Sequence, residues 1–358
     1  MRIKAKEIAT ELGVSPATVS LVLNNRPGVN QETRKRILAY VHKKETELWS
    51  ESPLAFKGRI MVLYYIKNGT VLDHMERRQT ENPTQQGSGK SPLFQAMTAF
   101  CNKKGYEMVY RIFREDSEAP DLLLEECRRL HIRGIYILAA EMHHSDIYPL
   151  QQLKIPLVTG DNLFYEEGID SLLIDNREGI ARGVSYLVDK GHSHIVYLAE
   201  TIDIFNFSER REAFLSEMAR RELGDASNRI WHLGCQTEEV YTAMQQRLNA
   251  GIHNTTAFVL ESSVISMGVC KALKERRLRI PRDISLLGFD ALLPGNLLGT
   301  ELTIIKGTHT KRHLAGVQHL IRHIEDENEE ILKIYYHTRL LEGDSVFDKT
   351  KYIYRPCF

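Results

Sequence analysis

The chain has 358 residues, which at about 150 residues per domain suggests two or three compact units with ample material for a large buried core. Lys plus Arg and Asp plus Glu both total 47, so the net charge is zero, and with 42% hydrophobic and 26% charged residues the composition excludes wholesale disorder. No stretch approaches the roughly 20 apolar residues of a membrane span, and the start MRIKAKEIATELGVS lacks a signal peptide's apolar core, so a cytoplasmic location is expected.

Five cysteines (Cys101, Cys127, Cys235, Cys270, Cys357) are odd in number, and no two stand at a C-x-x-C interval. Neither a disulfide framework nor a zinc knuckle is encoded, and reduced, mostly buried thiols are expected. Charge is uneven: residues 1–50 hold nine basic side chains against five acidic ones, a net +4 that the remainder balances with −4. A basic head on a slightly acidic body suits a module that faces phosphate.

In that head Ala5, Ile8, Ala9 and Leu12 recur at helical spacing, and Gly13 can end the helix in the left-handed conformation. Ser15-Pro16 supplies an N-cap followed by Pro at the first helical position. The second helix is expected to carry Val19, Val22 and Leu23 inward, while Ser15, Ala17, Thr18 and Ser20 are small or hydroxylated and allow close approach to another surface. Asn24-Asn25-Arg26-Pro27-Gly28 breaks it, and Asn30 with Glu32-Thr33 starts a third helix through Arg34, Ile37, Leu38 and Val41. Helix, short Gly turn and second helix form the helix-turn-helix pattern, whose second helix fits the major groove.

The stretch AKEIATELGVSPATVSLVLNN…VNQETRKRIL resembles the DNA-binding head of the LacI/GalR (lactose repressor) family. The resemblance implies that Ser15, Thr18, Ser20, Asn24, Asn30 and Thr33 contact phosphates or base edges, contacts that mostly set register. Sequence is then read at the exposed start of the second helix, where this chain has Pro16, Ala17 and Leu21. An Arg at position 21 would add about 1–3 kcal/mol of discrimination for guanine, whereas Leu and Ala offer only apolar contact to thymine methyls. An unusual operator is therefore expected. The family's Tyr-x-Pro-x-x-x-Ala-x-x-Leu hinge is replaced by ELWSESPLAFKGR, in which Leu54 is the candidate minor-groove wedge and Glu47 and Glu51 disfavour DNA. Either the hinge works differently or the kink is absent.

From Gly58 onward apolar runs such as RIMVLYYI, YEMVYRIF and GIYILA alternate with helical stretches, the rhythm of βαβ units on a parallel sheet. The rhythm resumes from IPLVTGDN to ISLLGFD, and LLIDNREG, LTIIKGT and YYHTRLL read as crossings to another lobe. Asp175-Asn176, Gly191-His192, Arg210 with Phe214, Gly288-Phe289-Asp290 and Arg339-Leu340 stand in the order of the same family. The resemblance implies an all-α helix-turn-helix head joined to an α/β, two-lobed, periplasmic-binding-protein-like body with parallel sheets. The expected division is a head at 1–48, an atypical hinge at 49–58 and a body at 59–358, with one lobe at 59–174 and 307–336 and the other at 175–306 and 337–348. The polar stretch Asn68 to Lys90 exceeds the usual loop of about 2–6 residues and reads either as a lip over the cleft or as a disordered insertion.

In the family a small effector, commonly a sugar or purine, lies between the lobes. The matching positions are Asp161, Arg210, Ser263 and Asp290, with Phe94 near the lip. Where the family has an Asn-Asp pair this chain has Ser262-Ser263 after Glu261, and Cys235 stands where a stacking aromatic often sits, with Trp231 nearby. The pairs His309/His313 and His319/His323 have i, i+4 spacing, but no Glu follows the first His as in H-E-x-x-H, so solvent-facing or interface histidines are expected and no metal. No G-x-S-x-G elbow, P-loop or G-x-G-x-x-G is present, and neither catalytic residues nor a cofactor are expected. The reading is a transcriptional regulator, most simply a repressor, acting as a homodimer on a pseudo-palindromic double-stranded DNA operator and answering to a sugar-like effector. A sugar-processing body with a DNA-binding head, and a regulator controlled by a protein partner, are the alternatives.

Overall fold

The computed structural model describes residues 5–23, 28–50, 56–67, 92–164, 166–252, 254–290, 299–326 and 330–352. Asn24, the candidate wedge Leu54, the Asn68–Lys90 stretch and Cys357 lie outside the described residues.

The head is three helices, α1 (Ala5–Leu12), α2 (Pro16–Leu23) and α3 (Gln31–Ser50), closed on a small core of Ile8, Ala9, Val19, Val22 and Ile37. Gly13 takes φ +65 at the turn between α1 and α2. Leu23, expected inward, is 45% exposed: it lies one residue, about 100° of helix, past Val22 and so points away from the core. Helix α3 continues to Ser50, past residue 48.

The body's elements are β1 (Gly58–Ile66), α4 (Pro92–Lys103), β2 (Tyr106–Arg114), α5 (Pro120–Arg129), β3 (Ile132–Leu138), α6 (Tyr148–Gln151), β4 (Leu157–Gly160), β5 (Asp170–Ile174), α7 (Asn176–Asp189), β6 (Ile195–Ala199), α8 (Phe205–Arg220), β7 (Ile230–His232), α9 (Thr237–Ala250), β8 (Ala257–Leu260), α10 (Ser263–Glu275), β9 (Ser285–Phe289), β10 (Thr303–Lys306), α11 (His309–Asp326), β11 (Lys333–Tyr336) and β12 (Arg339–Leu341). They form two six-stranded sheets, ordered β11-β5-β4-β3-β1-β2 in the N-lobe and β12-β10-β9-β8-β6-β7 in the C-lobe. Every pairing is parallel except β10 with β12.

Strand β1 is buried at all positions after Gly58, so its sequence is a continuous apolar run and not an alternation. Ile60, Val62 and Tyr64 pack with Met97 of α4 and Val317 and Leu320 of α11 on one face. Met61, Leu63 and Tyr65 pack with Leu123 and Leu124 of α5 on the other. The C-lobe repeats the scheme, with Tyr197, Phe214 and Leu287 on one face and Leu198, Val240 and Val264 on the other.

Three segments cross between the lobes: β5 leads into α7, β10 into α11, and β11 into β12. Helix α11 returns to the N-lobe and packs on α4, β3, β4 and β5. It lies so close to the sheet that a Cβ on Gly316 would run into the ring of Tyr136, and one on Gly160 into the same residue's hydroxyl. The glycines make room for Tyr136, which reaches the base of the cleft described next.

Candidate functional site

In the head, Ser15 Oγ accepts the Thr18 N–H at 3.0 Å and lies 2.8 Å from Thr18 Oγ1, capping α2. Asn30 Oδ1 accepts the Thr33 N–H at 2.7 Å and caps α3 in the same way. Pro16, Ala17 and Ser20 are exposed on α2, Thr18 and Leu21 partly so. The caps leave both helix N-termini well formed, a geometry that favours anions such as phosphate.

In the body, each lobe ends a central strand with an aspartate in the left-handed region: Asp161 follows β4 at φ +71 and Asp290 follows β9 at φ +48. On the N-lobe rim, Asp161 Oδ1 is 2.6 Å from Arg312 Nη2, whose side chain is fully buried, and Oδ2 is 3.5 Å from His313 Nε2. Tyr136 Oη closes the set at 2.8 Å from His313 Nδ1, and Arg312 Nη1 donates to Leu172 O at 3.1 Å. Burial resists ionisation of Asp161, but the Arg312 charge beside it outweighs that and holds its carboxyl below the usual range. Burial and the Arg312 charge push His313 down to about 3, so it is a neutral ring at neutral pH.

On the C-lobe rim, Asp290 Oδ1 accepts the Gly307 N–H at 2.8 Å and Oδ2 is 3.0 Å from His309 Nε2. Burial opposes its charge, yet His309, Arg210 and Gly307 bring its carboxyl down to about 2. Arg210 lies over Phe289, its Cζ 3.6 Å from the ring centre, and donates to Asn176 Oδ1 at 2.9 Å and Glu261 O at 2.8 Å. Asn176 continues to Asn206, and Asn206 Nδ2 donates to Asp161 O at 3.1 Å across the lobes. Each aspartate is thus touched by a side chain of the opposite lobe: Asp161 by Asn206, Asp290 by His309.

Beneath Arg210 lies a second layer. Glu261 is fully buried and takes two hydrogen bonds from Arg211, one from the Glu200 N–H and one from Tyr197 Oη. The neighbouring Glu200, 2% exposed, has Ser262 Oγ as its carboxyl's hydrogen-bond partner. Burial pushes Glu200 up to about 7, the Ser262 hydrogen bond opposing and Glu261 adding to the rise. Ser263 Oγ donates to Asp290 O at 3.3 Å.

Residues 4–45 match the lacI family of bacterial regulatory proteins, and residues 184–346 match a periplasmic binding protein-like domain. The chain is similar to that family in its head and to that domain in much of its body. It is 26% identical over 346 residues to the HTH-type transcriptional repressor PurR of Klebsiella pneumoniae, covering 96% of each chain. The lac repressor dimer bound to operator and the anti-inducer ONPF matches with a TM-score of 0.66 at 17% identity, over 97% of this chain and 100% of that one. The CelR–cellobiose complex matches with a TM-score of 0.65 at 18% identity, over 96% of this chain and 100% of that one. These two likenesses show the fold.

The structure brings Asp161, Arg210, Ser263 and Asp290 to the facing ends of the two sheets. Phe94 does not join them: it is 4% exposed, edge-on to Tyr110 at 4.6 Å, and its ring is used in the N-lobe core. Trp231 lies on β7, its ring 5.9 Å from Phe258 and under Arg247, and half-buried Cys235 bonds Glu239. The histidines on α11 are not all outward: His313 and His319 are 2% and 8% exposed, because α11 is covered by the sheet. Among the described residues no group of three or more side chains could hold a metal ion, and no helix is long and apolar enough to cross a membrane. Sequence reading missed Arg312, Tyr136, Asn206, Glu200 and Arg211. An arginine destined for burial has no local mark that separates it from a solvated one, although Arg312 between two histidines at i, i+4 spacing was a faint signal.

Proposed function

We propose that this chain is a sequence-specific DNA-binding repressor of transcription, acting in the cytoplasm as a homodimer on a pseudo-palindromic operator, with a small sugar-like effector bound between its lobes. The observation that carries the reading is the polar chain Arg210–Asn176–Asn206–Asp161–Arg312, which runs from one lobe to the other at the strand ends of a body that follows a capped helix-turn-helix head. Open α/β sheets bind ligands at that end. An effector with several hydroxyl groups competes for the same donors and acceptors, so its binding changes how the lobes meet and hence the spacing of the two heads. The resulting shift in DNA affinity is limited to the effector's differential affinity for the two forms. In the head, Ser15, Pro16, Ala17, Thr18, Ser20, Leu21, Asn30 and Thr33 form the DNA-facing set.

The test is selection of duplexes from a random DNA pool by the full-length protein at near-physiological salt. Enrichment of a two-fold symmetric motif supports the reading, and Thr18→Ala should weaken binding to it with the fold retained. Salt-sensitive binding without a motif would end it. With the motif in hand, sugars are screened for release of the protein, a response that Arg210→Ala should abolish. Turnover of a sugar by the protein would favour an enzymatic body instead.

A further inference from the structure

Among the described residues four buried side-chain atoms have no hydrogen-bond partner: Arg312 Nε, Glu167 Oε2, Asp170 Oδ2 and His319 Nε2. Arg312 belongs to the rim. The other three gather at the opposite end of the N-lobe, around the start of β5. Asp170 Oδ1 accepts the Leu332 N–H at 2.6 Å, while Oδ2 lies within ion-pair distance of His323 Nδ1 at 2.9 Å and of His319 Nε2 at 3.4 Å. Glu167 precedes β5, its side chain only 3% exposed, with Oε1 held by His144 Nδ1 at 2.8 Å. A buried carboxylate oxygen left unmatched costs about 1–3 kcal/mol. Asp170 Oδ2 and His319 Nε2 face each other, which leaves Glu167 Oε2 as the atom of this group with no partner.

A depression of about 760 Å³ opens there, lined by Arg133, Lys154, Pro156, Glu167, His323 and Ile331 among others. Arg133 and Lys154 are exposed cations, Pro156 is half-buried, and Ile331 leaves 45% of its surface uncovered. The place also adjoins the joint to the head. Arg133 Nη1 donates to Lys57 O at 3.3 Å, and Lys57 Nζ is paired with Glu325 at 2.5 Å, two residues from His323.

We infer that this depression is a second small-molecule site, separate from the strand-end rim, for an amphoteric metabolite with an apolar body: an apolar amino acid or a short peptide of such residues. Its ammonium group meets the free oxygen of Glu167, its carboxylate meets Arg133 and Lys154, and its side chain covers Pro156 and Ile331. A simple anion would leave the Glu167 oxygen unmatched, and a simple cation would be repelled by the two basic side chains. A molecule with both charges satisfies both ends. Because the site touches the partners of Lys57, its occupant is placed to stiffen the segment entering β1.

The experiment is isothermal titration calorimetry of the full-length protein with L-leucine and L-leucyl-L-leucine. Saturable binding of either is expected, weakened about tenfold or more by Glu167→Gln and by Arg133→Ala, and unchanged by Asp290→Asn at the rim. N-acetyl-L-leucine, which lacks the ammonium group, should not bind. Arg133 is exposed, so its variant tests the site even if Glu167→Gln fails to fold. No saturable binding to the wild-type protein overturns the inference, as does binding unaffected by both variants or lost only with Asp290→Asn. The readout is heat of ligand binding, so neither outcome depends on the DNA-binding reading.

Discussion

On the N-lobe rim, Asp161 faces the fully buried guanidinium of Arg312 and a histidine that stays neutral, and the whole set is braced by Tyr136. On the C-lobe rim, Arg210 gives its hydrogen bonds to neutral groups, and the nearby carboxyl of Glu200 has a serine hydroxyl for its partner beside a second buried glutamate. Both rims are polar clusters at the same end of similar sheets. The first keeps Asp161 charged and His313 neutral at neutral pH, and the second contains Glu200, which burial pushes up to about 7. A cleft built this way has one rigid wall and one that responds to what approaches it.

The sharpest way to break the contrast is Arg312→Met. It leaves the Asp161 carboxylate with a neutral imidazole, and breaking a buried pair from one side costs about 3–5 kcal/mol. Urea unfolding of the variant measures it, and Asp161→Asn added to the same chain should return part of the loss. A cost below about 1 kcal/mol, the range of exposed pairs, would mean that solvent in the cleft already screens Asp161 and that the N-lobe wall is not rigid.

The second test uses pH, because the two walls have opposite signs. His313 lies at about 3 in the folded protein against an ordinary 6.5, so the unfolded chain takes up a proton that the folded one refuses, and stability falls as pH drops through that window. Glu200 lies at about 7 against 4.5, so the unfolded chain releases a proton that the folded one keeps, and stability falls as pH rises through that window. Between 4.5 and 6.5 the two slopes oppose each other. Thermal melts of the wild-type protein should therefore change little there on account of this pair. Glu200→Gln removes one slope, worth at most about 3 kcal/mol over its full window, and its stability should climb with pH. His313→Gln should do the reverse. Parallel profiles for the two variants would erase the distinction between the walls.

The fold was legible because its signals are local. Strand β1 announces itself as an unbroken apolar run because helices cover both of its faces, and the head announces itself through caps and helical spacing. The LacI resemblance then supplied the two-lobed body, and with it Asp161, Arg210, Ser263 and Asp290 as residues to watch. Their partners were not legible. Arg312 lies 151 positions from Asp161, Tyr136 lies 177 from His313, and Glu200 lies 62 from Ser262. No spacing rule reaches across such distances, since the contacts exist only once strands from separate βαβ units lie side by side. Leu23 and Phe94 failed for a subtler reason. A helical period says which residues share a face, but not where that face ends or whether an aromatic ring is already used in the core.

The smallest expected effect is at the link between the walls. Asn206 Nδ2 donates to the Asp161 backbone carbonyl, and its Oδ1 accepts from Asn176. Asn206→Ala removes both bonds, but the Asp161 carbonyl lies at the cleft, where water can replace its partner, so the loss should be about 1 kcal/mol. The side chain touches neither Arg312 nor Glu200 in the hydrogen bonds that define their walls, so the opposing pH slopes should survive unchanged. What should change is the join: with the Asn206 contact across the lobes gone and His309–Asp290 still in place, proteolysis or hydrogen exchange at the three crossing segments should quicken. If exchange there is unaltered, the lobes are held by the covalent crossings and their packing, and the polar chain serves ligand recognition without serving closure. If instead the pH slopes shift together, the two walls are one cooperative unit and the contrast between them is only one of composition.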